Sequence, residues 1–194
     1  MGNIIKNRGG IYLRKNHRSK KLLICTVAAL ISATAIGFLL HFTYELCGEN
    51  HLVALISPVN ESIWEHLKLL TMPFLFTAAI EYLVYGMHTH NFFSAKLFGI
   101  IASLFFVVSS YYTLAGAFGL NTMATNVGIF IFGTFIAYII PYRLLQNKNF
   151  GGGVWEALSV VCLASLVLSF FIFTYKQPQI PLFRDPMTMN YGIE

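Results

Sequence analysis

KKLLICTVAALISATAIGFLLHF, from Lys20 to Phe42, decides the fold. Two lysines are followed by an apolar run from Leu22 to about Phe42. A signal-peptide core is roughly 7 to 15 residues long and ends at a small-residue cleavage site. This run is longer and no such site follows it, so it is expected to remain as a membrane helix. Seven of the thirteen Lys and Arg residues lie at or before Lys21. Basic residues just ahead of an apolar span hold that end of a membrane protein in the cytoplasm. The net charge of +5 therefore points to a membrane and not to nucleic acid.

Outward from this run, four further stretches reach the roughly 20 apolar residues that a bilayer requires. With the first, which extends to Leu46, they are Trp64 to Gly86, Phe92 to Ala115, Met123 to Leu145 and Val154 to Tyr175. The segments between them are short and carry glycine, asparagine or histidine, as turns between antiparallel helices do. At 56% hydrophobic and 11% charged residues, the chain has more apolar surface than a soluble domain of 194 residues can hide. The reading is an all-α membrane protein, a bundle of five transmembrane helices embedded in a lipid bilayer, multi-pass in the cell membrane.

Three segments follow: a basic cytoplasmic stretch at 1–21, a five-helix domain at 22–175, and a tail at 176–194 outside the cytoplasm. Ten Lys and Arg residues fall on the side of the N-terminus, including Lys96, Arg143 and Lys148, and three on the other, Lys68, Lys176 and Arg184. This places the N-terminus in and the C-terminus out. Pro178, Pro181 and Pro186 make an extended, proline-rich tail the expectation. Cys25, Cys47 and Cys162 are too few and scattered for a disulfide framework.

Polar residues outside the cytoplasm concentrate at the end of the first helix and the start of the second. Ala29, Ala33 and Gly37 form a small-residue ridge that allows close helix approach, and its next two steps are His41 and Glu45. Each step of four drifts about 40 degrees round a helix, so Gly37, His41 and Glu45 are expected on one protein-facing side and Ala29 turned away. After Ser57 and Pro58, Asn60 is the expected cap of the second helix, with Glu61 at its positive end. Glu61, Glu65, Lys68 and Met72 then fall on one face, with His66 about 100 degrees away from Glu65.

His41, Glu45, Asn60, Glu61, Trp64, Glu65, His66 and Lys68 are thus the ligand-binding candidates, converging between helices one and two. His41, Glu45, Glu61 and Glu65 are the candidate ligands of a divalent metal, since two pairs at a spacing of four can each offer two donors. No HExxH or paired-cysteine signature reinforces them. The plain alternative is that Glu65 and Lys68 pair and that Trp64 and His66 sit among headgroups. Glu81, deep in the second span, needs a partner, and Lys96 at the matching depth of the third is expected to form a structural ion pair with it. A proton or ion relay is the alternative use of Glu81.

The run Pro58, Val59, Asn60, Glu61, Ser62, Ile63, Trp64, Glu65, His66, Leu67, Lys68 resembles the PVNESxWEHLK signature of an uncharacterised family of small bacterial integral membrane proteins, a domain of unknown function. The resemblance extends to His41 through Asn50, to Asn91, Phe92, Ala95 and Lys96, and to the tail from Pro181 to Gly192. Met189 departs from it, standing where the family has glycine. The resemblance implies the membrane architecture and no activity. Three classes of function follow from the residues. One is binding of a small polar or cationic ligand, as a transporter subunit or sensor with a membrane protein partner. The second is a membrane-embedded hydrolase or transferase acting on lipid-linked substrates, with or without a metal. The third is a structural or immunity-type protein. Whether the chain is an enzyme is left open by its residues.

Overall fold

The computed structural model describes residues 2–147 and 149–193, with residues 2–18 described in backbone only. The basic side chains ahead of Ser19, and Lys148, lie outside the described residues. Among the described residues there are five helices long and apolar enough to cross a membrane. They are α1 (Gly2–Leu46), α2 (Ile63–Val84), α3 (Phe92–Tyr111), α4 (Met123–Leu144) and α5 (Val154–Tyr175). The apolar part of α1 begins at Ser19, and a π-helical stretch, Tyr112–Ala117, continues α3. The α1 backbone runs without a break through the 21/22 boundary drawn from the sequence.

The outward faces carry large apolar side chains, among them Leu39, Leu83, Phe105, Phe132 and Val161, all exposed. An aqueous bundle would bury these; in lipid they are on the right side of the fold. Inside, α1 lies along α2 and α4, while α3 lies along α4 and α5. Ala29, Ala33, Leu70, Phe74, Ile100, Ala137, Tyr138 and Leu163 form the common core, drawn from every helix.

The ridge on α1 explains the close packing and corrects one expectation. Ala29 does not turn away from the protein; it is buried, as are Thr26, Ala33, Gly37 and Tyr44. The stripe advances by three as well as four residues, which holds it on one face of a 3.6-residue helix. Tyr44 therefore takes the inward position and Glu45 is exposed. A Cβ on Gly37 would lie 2.5 Å from the Leu69 carbonyl oxygen and 2.7 Å from the Phe130 ring, so only glycine fits there. That carbonyl belongs to the residue four before Pro73, which has no N–H to offer it.

Helix α1 ends because Gly48 adopts φ +64°. Glu49 N donates to the Tyr44 carbonyl and Gly48 N to that of Glu45, the paired bonds of a Schellman ending. The connection to α2 folds back as a 3-10 turn, Val53–Leu55. It is pinned by Ser57, whose hydroxyl donates to the Leu40 carbonyl at 2.5 Å and accepts from Tyr44 N at 3.1 Å.

The tail is not extended, as its prolines suggested, but folds back over the start of α2. A 3-10 turn at Pro181–Phe183 leads into an antiparallel bridge between Arg184 and Tyr191. Phe183 is buried against Trp64, with ring centroids 4.8 Å apart. The prolines break helix but leave a turn available, and the buried ring holds the turn down.

Candidate metal centre

The start of α2 sorts the polar residues. Ser62, in extended conformation, is the N-cap: its hydroxyl accepts from Glu65 N at 3.3 Å. Asn60 does not cap the helix; its side-chain oxygen instead accepts from Ser62 N at 3.0 Å. Glu61 therefore precedes the helix and does not share a face with Glu65 and Lys68. A hydroxyl three residues ahead of Glu65 is a better-placed acceptor for the first turn than an amide five residues ahead. Glu65 Oε2 reaches back to Val59 N at 3.1 Å.

Two groups result, on opposite sides of one helical turn. The first is sealed: Lys68 Nζ donates to Glu65 Oε2 at 2.6 Å, to the Ala54 carbonyl at 2.8 Å and to the Thr174 hydroxyl at 2.7 Å. Glu65, Lys68 and Thr174 are wholly buried. Lys68 uses its three ammonium hydrogens on three oxygens, which is the condition for burying the charge. The expected convergence of Glu65 and Lys68 with His41 does not occur, because the folded connection and α5 supply their partners instead.

The second group is half open. It is the His66 side of α2, about 100 degrees from Glu65, that meets α1. His41, Glu61 and His66 each place one ligand atom so that all lie within 4.8 Å of one another. His66 Nδ1 lies 3.0 Å from the Ser62 carbonyl oxygen. A carbonyl only accepts, so Nδ1 carries the hydrogen, and a neutral His66 turns the Nε2 lone pair outward. Nε2 lies 3.4 Å from Glu61 Oε2. A tetrahedral metal with bonds of about 2.0–2.1 Å has an N-to-O edge of about 3.3 Å. The His41 ring stands nearly edge-on to that of His66, with centroids 5.2 Å apart.

Of the four metal candidates named from the sequence, His41 and Glu61 belong to this group; Glu45 and Glu65 do not. Glu45 lies on the exposed side of α1, and Glu65 is committed to Lys68. His66, a ligand-binding candidate from the sequence and the alternative to His41 as a metal ligand in the hydrolase reading, completes the group. Its signal was present in the sequence: a histidine four residues after the N-cap can bond the cap's carbonyl and present its other nitrogen. Trp64 packs on Phe170, Phe173 and Phe183 and anchors the tail. Asn60 Nδ2 donates to the Gly192 carbonyl at 3.0 Å, a tail contact as well.

At the opposite end of α2, Lys96 Nζ donates to Glu81 Oε2, and Tyr85 donates its hydroxyl to Glu81 Oε1 at 2.7 Å. The rings of Phe74, Phe92 and Tyr138 surround Lys96 at 5.3 to 5.5 Å. Burial, and then the Glu81 carboxylate, push the Tyr85 phenol up from its ordinary range. Nearby, Thr77 and Tyr138 share a buried hydroxyl contact. Sequence reading missed Glu156, whose two oxygens accept from Phe93 N and Ser94 N at 2.8 and 2.9 Å. An acid from another helix thus satisfies the open N–H groups at the start of α3.

Among the described residues, five helices apolar enough to cross a membrane, with two buried ion pairs and a half-open group of two histidines and a carboxylate at one end, define the class as a multi-pass membrane bundle. Within it, the chain belongs to a family of unknown function, DUF6512, whose model matches residues 11–193. No curated protein and no solved structure matches the chain.

Proposed function

We propose that the chain is a multi-pass protein of the cell membrane that binds a divalent transition-metal cation at His41, Glu61 and His66, from the side away from the cytoplasm. The carrying observation is the His66 ring. Its Nδ1 is committed to the Ser62 carbonyl while its Nε2 faces the Glu61 carboxylate at 3.4 Å, the contact of a His–Glu ion pair and equally the edge of a metal site held by both. Imidazole and carboxylate together suit zinc and its neighbours better than magnesium or calcium, which prefer oxygen alone. The Glu61 side chain is 50% exposed and that of His66 31%, so a bound ion would exchange with solvent. That suits capture or sensing of a metal better than a permanent structural site.

Zinc titration of the full chain in detergent, with metal counted after dialysis, tests this reading. One ion per chain is expected, lost on His66→Ala while elution and melting temperature persist. Wild-type protein without bound zinc would end the reading. Two histidines and a glutamate also leave a coordination position for water, as hydrolytic zinc centres do. This supports the enzymatic alternative on lipid-linked substrates, for which zinc-dependent lipid turnover lost with His41→Ala is the test.

The sidedness rests on the ten-to-three division of Lys and Arg. Residues 1–21 are assigned to the cytoplasm and 176–194 to the outside. Phosphatase fusions after Tyr175 should be active and those after Gln146 inactive. The reverse pattern at both positions would move the site to the cytoplasmic face.

A further inference from the structure

We infer that the C-terminal tail is the clasp of this site: Asp185 positions Glu61, so that transition-metal binding and tail docking are one coupled equilibrium. The inference rests on the metal reading above and adds its regulation. Glu61 lies ahead of the first turn of α2, so helix geometry does not fix it. Its backbone is held from the tail. Glu61 N donates to Asp185 Oδ2 at 3.0 Å, and the neighbouring Asn60 donates to the Gly192 carbonyl at 3.0 Å.

Asp185 is itself rigidly placed and only 5% exposed. Its other oxygen accepts from Met187 N at 2.6 Å and Thr188 N at 3.2 Å, and its carbonyl accepts from Met189 N at 2.9 Å. Apart from these bonds, the tail is tied to α2 by Phe183, buried against Trp64, and closed on itself by Gly192 N, which donates to Gln177 Oε1 at 2.7 Å. One carboxylate thus bonds the tail's own turn through one oxygen and the ligand-bearing backbone through the other. Releasing the tail frees Glu61; fixing Glu61 on a metal favours the docked tail. Linkage requires both effects to be equal in free energy. Asp185 also brings a second negative charge to the edge of the site, which favours a cation.

The test uses the full chain in nanodiscs, titrated with zinc, with hydrogen exchange followed in peptides covering 181–193. In wild type, zinc should slow exchange across the tail, and in His66→Ala it should not. Asp185→Ala should weaken zinc binding by about 10- to 100-fold, the usual cost of losing a group that orients a ligand. Asp185→Asn, which keeps one acceptor oxygen, should recover part of that loss. A structural defect alone would lower the melting temperature without a zinc-dependent change in tail exchange. If wild type binds zinc but its tail exchange is unchanged, or Asp185→Ala binds as tightly as wild type, the clasp is wrong and the metal site stands. If wild type binds no zinc, the site itself is wrong and the clasp falls with it.

Discussion

Glu61 and Glu65 are four residues apart in one motif, yet one is half exposed beside two histidines and the other has no exposed atom. The cap at Ser62 separates them. Glu65 lies inside the helix, where the turn aims it at Lys68 and the folded connection; Glu61 lies outside it, where only the tail and His66 hold it. A sealed carboxylate must be neutralised permanently, because nothing can reach it later. An open one can exchange its counter-charge. The same residue type thus serves structure on one side of the cap and ligand binding on the other.

The strongest way to break the comparison is to unbalance the sealed side. Lys68→Met leaves the Glu65 carboxylate buried and unpaired, which should cost about 3–5 kcal/mol. Thermal unfolding in detergent should show a large loss of folded protein. The double variant Glu65→Gln, Lys68→Met should recover much of it, since no uncompensated charge remains. A single variant as stable as wild type would mean that Glu65 reaches water.

Removing the boundary itself should have a smaller effect. Ser62→Ala deletes the cap bond to Glu65 N and should destabilise by about 1 kcal/mol. Because Ser62 also supplies through its carbonyl the acceptor for His66, which alanine retains, zinc binding should survive with little change. Loss of zinc binding with intact stability would show that the hydroxyl, not the carbonyl, orients the ring.

The five spans are legible in the sequence because a bilayer demands length and apolarity and little else, and these are properties of runs. The structure starts and ends them within a few residues of where hydropathy does. The buried partner of Glu81 is legible for a similar reason, since a deep acid and a deep lysine across a short turn leave each other little choice. The site is less legible. Whether Ser62 or Asn60 caps α2 depends on a single turn of backbone, and a shift of two residues changes which side chains share a face. The signature Ser62, Ile63, Trp64, Glu65 carried the capping pattern, but Asn60 and Glu61 offered a rival start. The tail's fold depends on Asp185 bonding a residue 124 positions away, and no local pattern reports such a contact.

On the open side, Glu61→Gln separates binding from stability. The Glu61 side chain is 50% exposed, and an exposed ion pair is worth about 0–1 kcal/mol, so the melting temperature should hardly move. Zinc affinity should fall sharply, because an amide oxygen is a much weaker ligand than a carboxylate. A drop in stability matching that of Lys68→Met would erase the distinction between the two acids.

The smallest effect belongs to Glu45, which has the right spacing from His41 to be a ligand and is not in the group. The buried stripe of α1 passes through Tyr44, so Glu45 points away from α2, while His41 still reaches His66 from the edge of the stripe. Glu45→Ala should change stability by less than about 0.5 kcal/mol, as exposed substitutions do, and leave zinc affinity within about twofold. Equilibrium titration beside the Glu61→Gln variant makes the contrast direct. A loss of zinc affinity in Glu45→Ala as large as that in Glu61→Gln would mean that α1 is turned toward α2 by about the 40 degrees that separate Glu45 from His41. Glu45 would then be a ligand beside His41 and Glu61, and the line that the buried stripe draws at Tyr44 would be wrong.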